Sequence, residues 1–297
     1  MQVAVTGATG FLGRYIVRHL DEMGHSSRCW YRAGSDRTGF DTVQNTITWV
    51  RGDLSDADSM LQLVSGCDAV VHAALDRPGA GFRGSEGDVA TFVERNVLGT
   101  VRLIEAALKA DVSRFIFIAT CAVHEVILDD RALDETHPLW PTTHYGAHKA
   151  AIEKFVHSYG LGHRYDICSL RPTGIYGAAH PLAASRWYEL VHAVARGQDV
   201  VSACGGKEVH AADVARAVGI LLTAEGIAGQ AYNCYDMYVA EQDVAAIAKR
   251  ITGSSSNIEP LNKGPKYQIG TGKLRALGMD FGGKALLERT IAELLRH

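Results

Sequence analysis

An α/β fold, built as a doubly wound parallel sheet with a small C-terminal lobe, is predicted by three observations. The chain opens with a strand, a glycine turn and a helix. Short apolar runs then alternate with helical periodicities up to about residue 170, and the composition suits one large α/β domain with a smaller lobe. Of 297 residues, 47% are hydrophobic and 21% charged, with a net charge of -3 and no basic stripe, so nucleic acid is not an expected partner. The six cysteines, at 29, 67, 121, 168, 204 and 234, lack C-x-x-C spacing and read as reduced core thiols. No apolar run approaches the ~18 residues of a spanning helix, and the N-terminus lacks a signal peptide's charged and apolar regions. A cytoplasmic enzyme with no membrane partner is the expectation.

Residues 2–5 are β-like and lead into Thr6-Gly7-Ala8-Thr9-Gly10-Phe11-Leu12-Gly13. Phe11, Leu12, Ile16, Val17 and Leu20 carry a helical period directly after it. Such a turn lets backbone approach a pyrophosphate, and the helix N-terminus presents free N–H groups to it, the Rossmann-type arrangement. A second strand, residues 27–31, ends at Arg32 without a carboxylate at its tip. A cation there accommodates a ribose 2′-phosphate, which favours NADP(H) over NAD(H). Asp36 is the competing candidate for a ribose, and Arg32 as a plain surface charge the competing view.

Residues 46–50 form a third strand, followed by Gly52-Asp53-Leu54, and Asp56 caps the next helix. A fourth strand, 68–72, ends in His72-Ala73-Ala74, where small side chains leave room for a cofactor; His72 reads as packed. The segment 76–88 is glycine- and charge-rich and leaves the ligand edge of the sheet, so it is expected to be a substrate loop or simple surface disorder. A long helix spans 89–110 and contains Asn96; residues 115–118 are a buried fifth strand leading to Thr120, and 166–170 a sixth.

On a helix, Tyr145 and Lys149 project from one face. A fixed cation beside a phenol favours its phenolate and brings proton transfer within reach near neutral pH. His144 and His148 have ligand spacing, but no third ligand stands beside them and no metal is expected.

The G-x-x-G-x-x-G turn, Asp53, Asn96, Thr120, Tyr145, Lys149 and Arg171-Pro172-Thr173-Gly174-Ile175-Tyr176-Gly177 together resemble the extended short-chain dehydrogenase/reductases of the NAD-dependent epimerase/dehydratase type. The resemblance implies a Thr120–Tyr145–Lys149 catalytic set, with Thr120 on the substrate oxygen and Lys149 also on the nicotinamide ribose. It implies that Asp53 and Leu54 lie at the adenine, Asn96 in the helix behind the site, and the backbone of Pro172, Gly174 and Ile175 against the nicotinamide. Two departures bear on substrate. His124-Glu125 stands where the family often has Tyr-Gly, and Gly174 where its nucleotide-sugar enzymes commonly have Asn. The first alters the wall of the pocket; the second, with Arg32, leans toward reduction or oxidation of a free carbonyl or hydroxyl compound. The alternatives are a sugar nucleotide epimerised or dehydrated with retained NAD, and a non-catalytic cofactor sensor.

Residues 1–170 are thus read as the dinucleotide-binding core and 171–297 mainly as a substrate lobe with segments returning to the core. A helix over 182–196 carries Trp187. His124, His180, Trp187 and His210 are candidate substrate contacts, with packing the open alternative for Trp187 and His210 and a loop cap for His180. The resemblance also implies a homodimer paired through helices 89–110 and 145–161.

Overall fold

The computed structural model describes residues 1–78, 86–260, 264 and 266–296. Two compact units are present, Met1–Pro172 with Val214–Cys234 and Ile269–Met279 forming the first, and Thr173–Asp213, Tyr235–Gln268 and Asp280–His297 the second. Residues 79–85 of the expected substrate loop lie outside the described residues.

The first unit begins with β1 (Gln2–Thr6), α1 (Phe11–Glu22), β2 (Ser26–Tyr31), β3 (Ile47–Arg51), α2 (Ala57–Val64) and β4 (Ala69–His72). It continues with α3 (Val89–Val93), α4 (Gly99–Lys109), β5 (Arg114–Ile118), α5 (His144–His157) and β6 (Asp166–Pro172). The chain then runs through β7 (Gly174–Tyr176), α6 (Tyr188–Ala195), β8 (Gly205–His210), α7 (Ala211–Thr223), β9 (Gln230–Cys234) and β10 (Met237–Ala240). It closes with α8 (Glu241–Thr252), α9 (Gly272–Ala276) and α10 (Gly283–Leu294).

The first unit's sheet has seven strands in the order β3-β2-β1-β4-β5-β6-β9, every pair parallel. Its central strands are apolar on both faces because helices cover both; all four residues of β4 and four of five in β5 are buried. The order turns back at β1, and the adjacent ends of β1 and β4 pair Thr6 with His72. That reversal point is where open sheets of this kind hold ligands.

The predicted helix over 89–110 is broken by a π-turn at Glu94–Leu98 between α3 and α4. Asn96 lies in this turn, buried; its amide donates to Asp76 O (2.8 Å) and Phe92 O (3.0 Å) and accepts from Asp76 N–H (2.8 Å). A π-turn offsets the helix by one residue, and here it accompanies a side chain bonded to the segment leaving β4.

In the second unit β8 lies between β10, antiparallel, and β7, parallel. The predicted helix over 182–196 is shorter. A 3₁₀ turn covers Leu182–Ala184, and Trp187, with φ 67°, adopts the left-handed region before α6 begins. That strained position is held by burial of the indole in the unit's core beside Tyr176, the rings 5.3 Å apart. Among the described residues no helix is long and apolar enough to cross a membrane.

Candidate active site

The glycine turn has the shape of a cradle. Gly7 has φ 71°, and a Cβ there would lie 2.9 Å from the backbone of Ala73 and Ala74. At Gly13 a Cβ would fall 2.0 Å from Gly7 O, whereas at Gly10 it would meet only Gly7 O, at 3.2 Å, and otherwise open space. Helix α1 starts immediately after, with Gly10 as an N-cap that supplies no side-chain bond and no acid in the first turn. Its first N–H groups and positive dipole end therefore remain available to an anion. Thr9 contributes its carbonyl to the buried Arg14, which also bonds Thr38 O and Asp36 O and so ties the segment after β2 to this turn. A dinucleotide's pyrophosphate fits this cradle. Gly7, Thr9, Gly10, Phe11, Leu12 and Gly13 would surround it, with Ala73 and Ala74 as the small residues opposite.

Behind the cradle runs a buried polar chain. Thr6 Oγ accepts N–H bonds from Ala73 and Ala74, each at 3.1 Å. Thr100 gives its proton to Asn96 O (2.6 Å), so the His72 Nε2–H must donate to Thr100 (2.8 Å), leaving Nδ1 to accept from the Thr6 hydroxyl (2.7 Å). Burial, followed by the charge of Lys149, pulls the His72 pKa down to about 3, in keeping with this neutral tautomer.

At the tip of β2, Arg32 donates to Asp76 (3.0 Å), and Arg95 from the π-turn donates to the other oxygen of the same carboxylate (2.8 Å). Asp53 lies close enough for both cations to lower its pKa, though its bonds to Ser55 do more. Leu54 is buried beneath Gly99, where a Cβ would come within 2.4 Å of Leu54 O. Asp36, the other ribose candidate, holds Thr38 through its backbone N–H (2.8 Å) and hydroxyl (2.7 Å).

Thr120 lies just beyond the carboxyl end of β5, and Tyr145 and Lys149 lie one turn apart on α5. Thr143 caps α5 by accepting from Gly146 N–H, and Gly146 packs so tightly that a Cβ would sit 2.8 Å from Ala122 O. This fixes the first turn of α5, with Tyr145, against the turn that follows Thr120. One turn later Lys149 Nζ donates to Ile118 O (2.7 Å) and stands 4.5 Å over the Phe117 ring. Lys149 is 4% exposed, and burial lowers its pKa to about 7 against a weaker opposing pull from Glu153. The Thr120 hydroxyl accepts from Ala122 N–H (3.1 Å) and, among the described residues, has no acceptor for its own proton. His148 is buried against Phe92, the rings 4.9 Å apart edge to face.

Several expected contacts lie elsewhere. The polar atoms of Asn96 engage backbone at Asp76 and Phe92, so it shapes the wall and does not reach out to a cofactor. His124 is enclosed; it accepts from Arg171 (3.3 Å) and donates to Pro138 O (3.2 Å). Trp187 belongs to the core of the second unit, and His210 is buried edge-on to Tyr176 with Nδ1 accepting from Ala212 N–H. His180 alone of the four is exposed. Pro172, which ends the first unit's opening segment, is buried, and Gly174 and Ile175 lie in β7 of the second unit. The main omission of the sequence reading is Glu153, fully buried and bonded to the buried Arg171 at 2.9, 3.1 and 2.5 Å. Its position four residues beyond Lys149 on one helix face was the available signal.

The fold and its glycine cradle define a dinucleotide-binding protein of the Rossmann class. The chain belongs to the NAD dependent epimerase/dehydratase family, which matches residues 3–234, and so to the extended short-chain dehydrogenase/reductases, a group of enzymes. It is 34% identical to a dTDP-glucose 4,6-dehydratase of Streptomyces antibioticus over 60% of this chain and 54% of that one. It is 36% identical to a putative dihydroflavonol 4-reductase of Synechocystis sp. over 52% of this chain and 40% of that protein. The match thus spans about half the length of these curated relatives or less. A dTDP-glucose 4,6-dehydratase double mutant from Streptomyces venezuelae, solved with NAD bound, superimposes with a TM-score of 0.76 at 25% identity, covering 98% of this chain and 96% of that one.

Proposed function

We propose that this enzyme moves hydride between a nicotinamide cofactor and a carbinol or carbonyl carbon of a small molecule, with the second unit as its substrate-binding lobe. What supports this is the packing of the first turn of α5, which carries Tyr145, against the turn after Thr120, and the bond from Lys149 to Ile118 at the end of β5, in the same sheet as the glycine cradle's β1. The bound nicotinamide supplies the hydride donor or acceptor. Thr120 offers its unused proton to the substrate oxygen, easing charge that develops there. Tyr145 gives or takes the oxygen's proton, and Lys149 stabilises the phenolate and holds the nicotinamide ribose.

Arg32 and Arg95 support a preference for NADP(H), with NAD(H) usable, because two guanidinium groups already share one carboxylate at the strand tip. A 2′-phosphate arriving there competes with Asp76. Asp76→Asn is therefore expected to tighten NADPH binding about tenfold while leaving NADH within about twofold, as read by fluorescence titration. Tightening of both cofactors alike would remove this assignment.

Incubation with NADPH and a panel of small ketones and aldehydes tests the reaction: steady cofactor oxidation is expected, falling by roughly 10²–10⁴ in Tyr145→Phe. The second reading, a sugar-nucleotide dehydratase or epimerase, draws on the similarity to dTDP-glucose 4,6-dehydratase. Consumption of dTDP-glucose with tightly retained NAD and no net cofactor turnover would select it. Exposed Val93, Leu98 and Phe155 on α3, the π-turn and α5 support a homodimer paired through these helices, and a monomeric mass in light scattering would refute it.

A further inference from the structure

The second unit contains a polar pair that the chemistry above does not use. Glu208, on the central strand β8, is 1% exposed. One of its oxygens, Oε2, accepts from Arg186 Nη1 at 2.7 Å. The other, Oε1, has no partner among the described residues and is not sealed from solvent. The carboxylate lies flat across two glycines. A Cβ at Gly174 would fall 2.4 Å from Oε2, and one at Gly206 would fall 2.3 Å from Oε1. The strand register pairs Gly174 with Glu208, so the glycines are the residues that make room for the acid. Arg186 is partly exposed, its guanidinium 5.0 Å over the Trp187 ring, leaving further N–H donors beside Oε1.

This is costly to keep as a purely structural pair. A carboxylate this deep in the fold is tolerated when its oxygens are satisfied, and here Oε1, which still meets solvent, has no protein partner among the described residues. The same small sheet and its approach hold further unsatisfied groups, the Thr173, Tyr176 and Tyr238 hydroxyls, which are buried without a partner among the described residues. Burial raises the Glu208 pKa to about 7 despite Arg186, as expected for an acid whose charge is incompletely compensated.

We infer that Glu208 and Arg186 form a binding site for a hydroxyl group of a neutral, hydroxylated ligand, and that this site disfavours phosphate esters. A hydroxyl is both donor and acceptor; it donates to Glu208 Oε1 and accepts from the neighbouring guanidinium, matching a pair whose formal charges cancel. A phosphate dianion has no proton to offer Oε1 and, wherever Glu208 is ionised, meets a negative charge there. This deepens the proposed function, on which it rests for the assumption that the second unit holds substrate. It also gives a reason for Gly174, since any side chain at that position collides with the carboxylate.

The test is binding to the protein, followed by ligand-observed NMR, with D-glucose and glucose 1-phosphate as probes. Wild type is expected to bind glucose more tightly than glucose 1-phosphate. Glu208→Gln, which leaves the site net positive, should weaken glucose about five- to tenfold and strengthen glucose 1-phosphate; Arg186→Gln should weaken both. The opposite signs on the two probes are not produced by a merely structural pair, and Arg186, being partly exposed, provides a variant that does not depend on tolerance of a core change. No glucose binding, glucose binding unaltered in both variants, or tighter binding of the phosphate ester by wild type would overturn the inference. NADPH dissociation constants measured on the same samples separate the two readings: loss of cofactor binding in wild type condemns the proposed function, whereas intact cofactor binding without the hydroxyl response condemns only this site.

Discussion

Replacing Lys149 with methionine is expected to reduce kcat by about 10³-fold or more and yet stabilise the cofactor-free protein at pH 6. The ammonium is buried with one carbonyl and one aromatic ring as its described partners, and its pKa falls from 10.5 to about 7. The unfolded chain therefore binds this proton more tightly than the folded one. Below about pH 7 both states carry it and the full burial cost is present; as pH rises toward 10.5 the folded protein sheds the proton first and gains stability. Methionine fills the same space without that cost. After allowing for the lost bond to Ile118 and the contact with Phe117, a net gain of ~1–3 kcal/mol is expected at pH 6, shrinking as the pH approaches 10. Thermal denaturation of both proteins at pH 6 and pH 9.5 checks it. A variant less stable than wild type at both pH values would show that Lys149 contributes to the fold by more than its charge costs.

Removing the partner of Arg171 has the opposite sign. Glu153→Ala leaves a fully buried guanidinium whose main counter-charge is gone, and a loss of ~3–5 kcal/mol is expected in urea denaturation. Adding Arg171→Met to that variant should recover most of the loss, because the double variant buries no unpaired charge. Equal and additive losses from the two substitutions would mean that packing, and not the ion pair, dominates. Glu153 also raises the Lys149 pKa, so its removal lowers that pKa further and couples the two experiments.

What could be read from the sequence was what is encoded locally. The strand, glycine turn and helix at residues 2–20 lie within one short stretch, and Tyr145 and Lys149 are one helical turn apart; both positions followed from spacing alone. Asn96 was placed in its helix, but the π-turn around it was invisible, since its bonds go to Asp76, twenty residues earlier in the chain. Arg171 was noticed as part of an Arg-Pro run while its carboxylate partner lay eighteen residues back on another element. The same holds for Glu208 and Arg186, whose carboxylate lies over Gly174 and Gly206; from the sequence Gly174 was expected at the nicotinamide, and nothing there pointed to the acid. Two of the candidate histidines, His124 and His210, are taken up by the fold for a related reason: an imidazole has both donor and acceptor capacity, so it satisfies buried groups as readily as it meets a ligand.

The division into units implies an order of assembly during synthesis. The first unit's edge strand β9 comes from Val214–Cys234, and its last segment is Ile269–Met279. A ribosome that has released only the first 172 residues has therefore delivered six of seven strands, with the outer edge of β6 still unpaired. Such an edge is a template for wrong pairing with another nascent chain. The interval between emergence of Pro172 and emergence of Cys234 is thus the period in which this protein most needs protection from its neighbours.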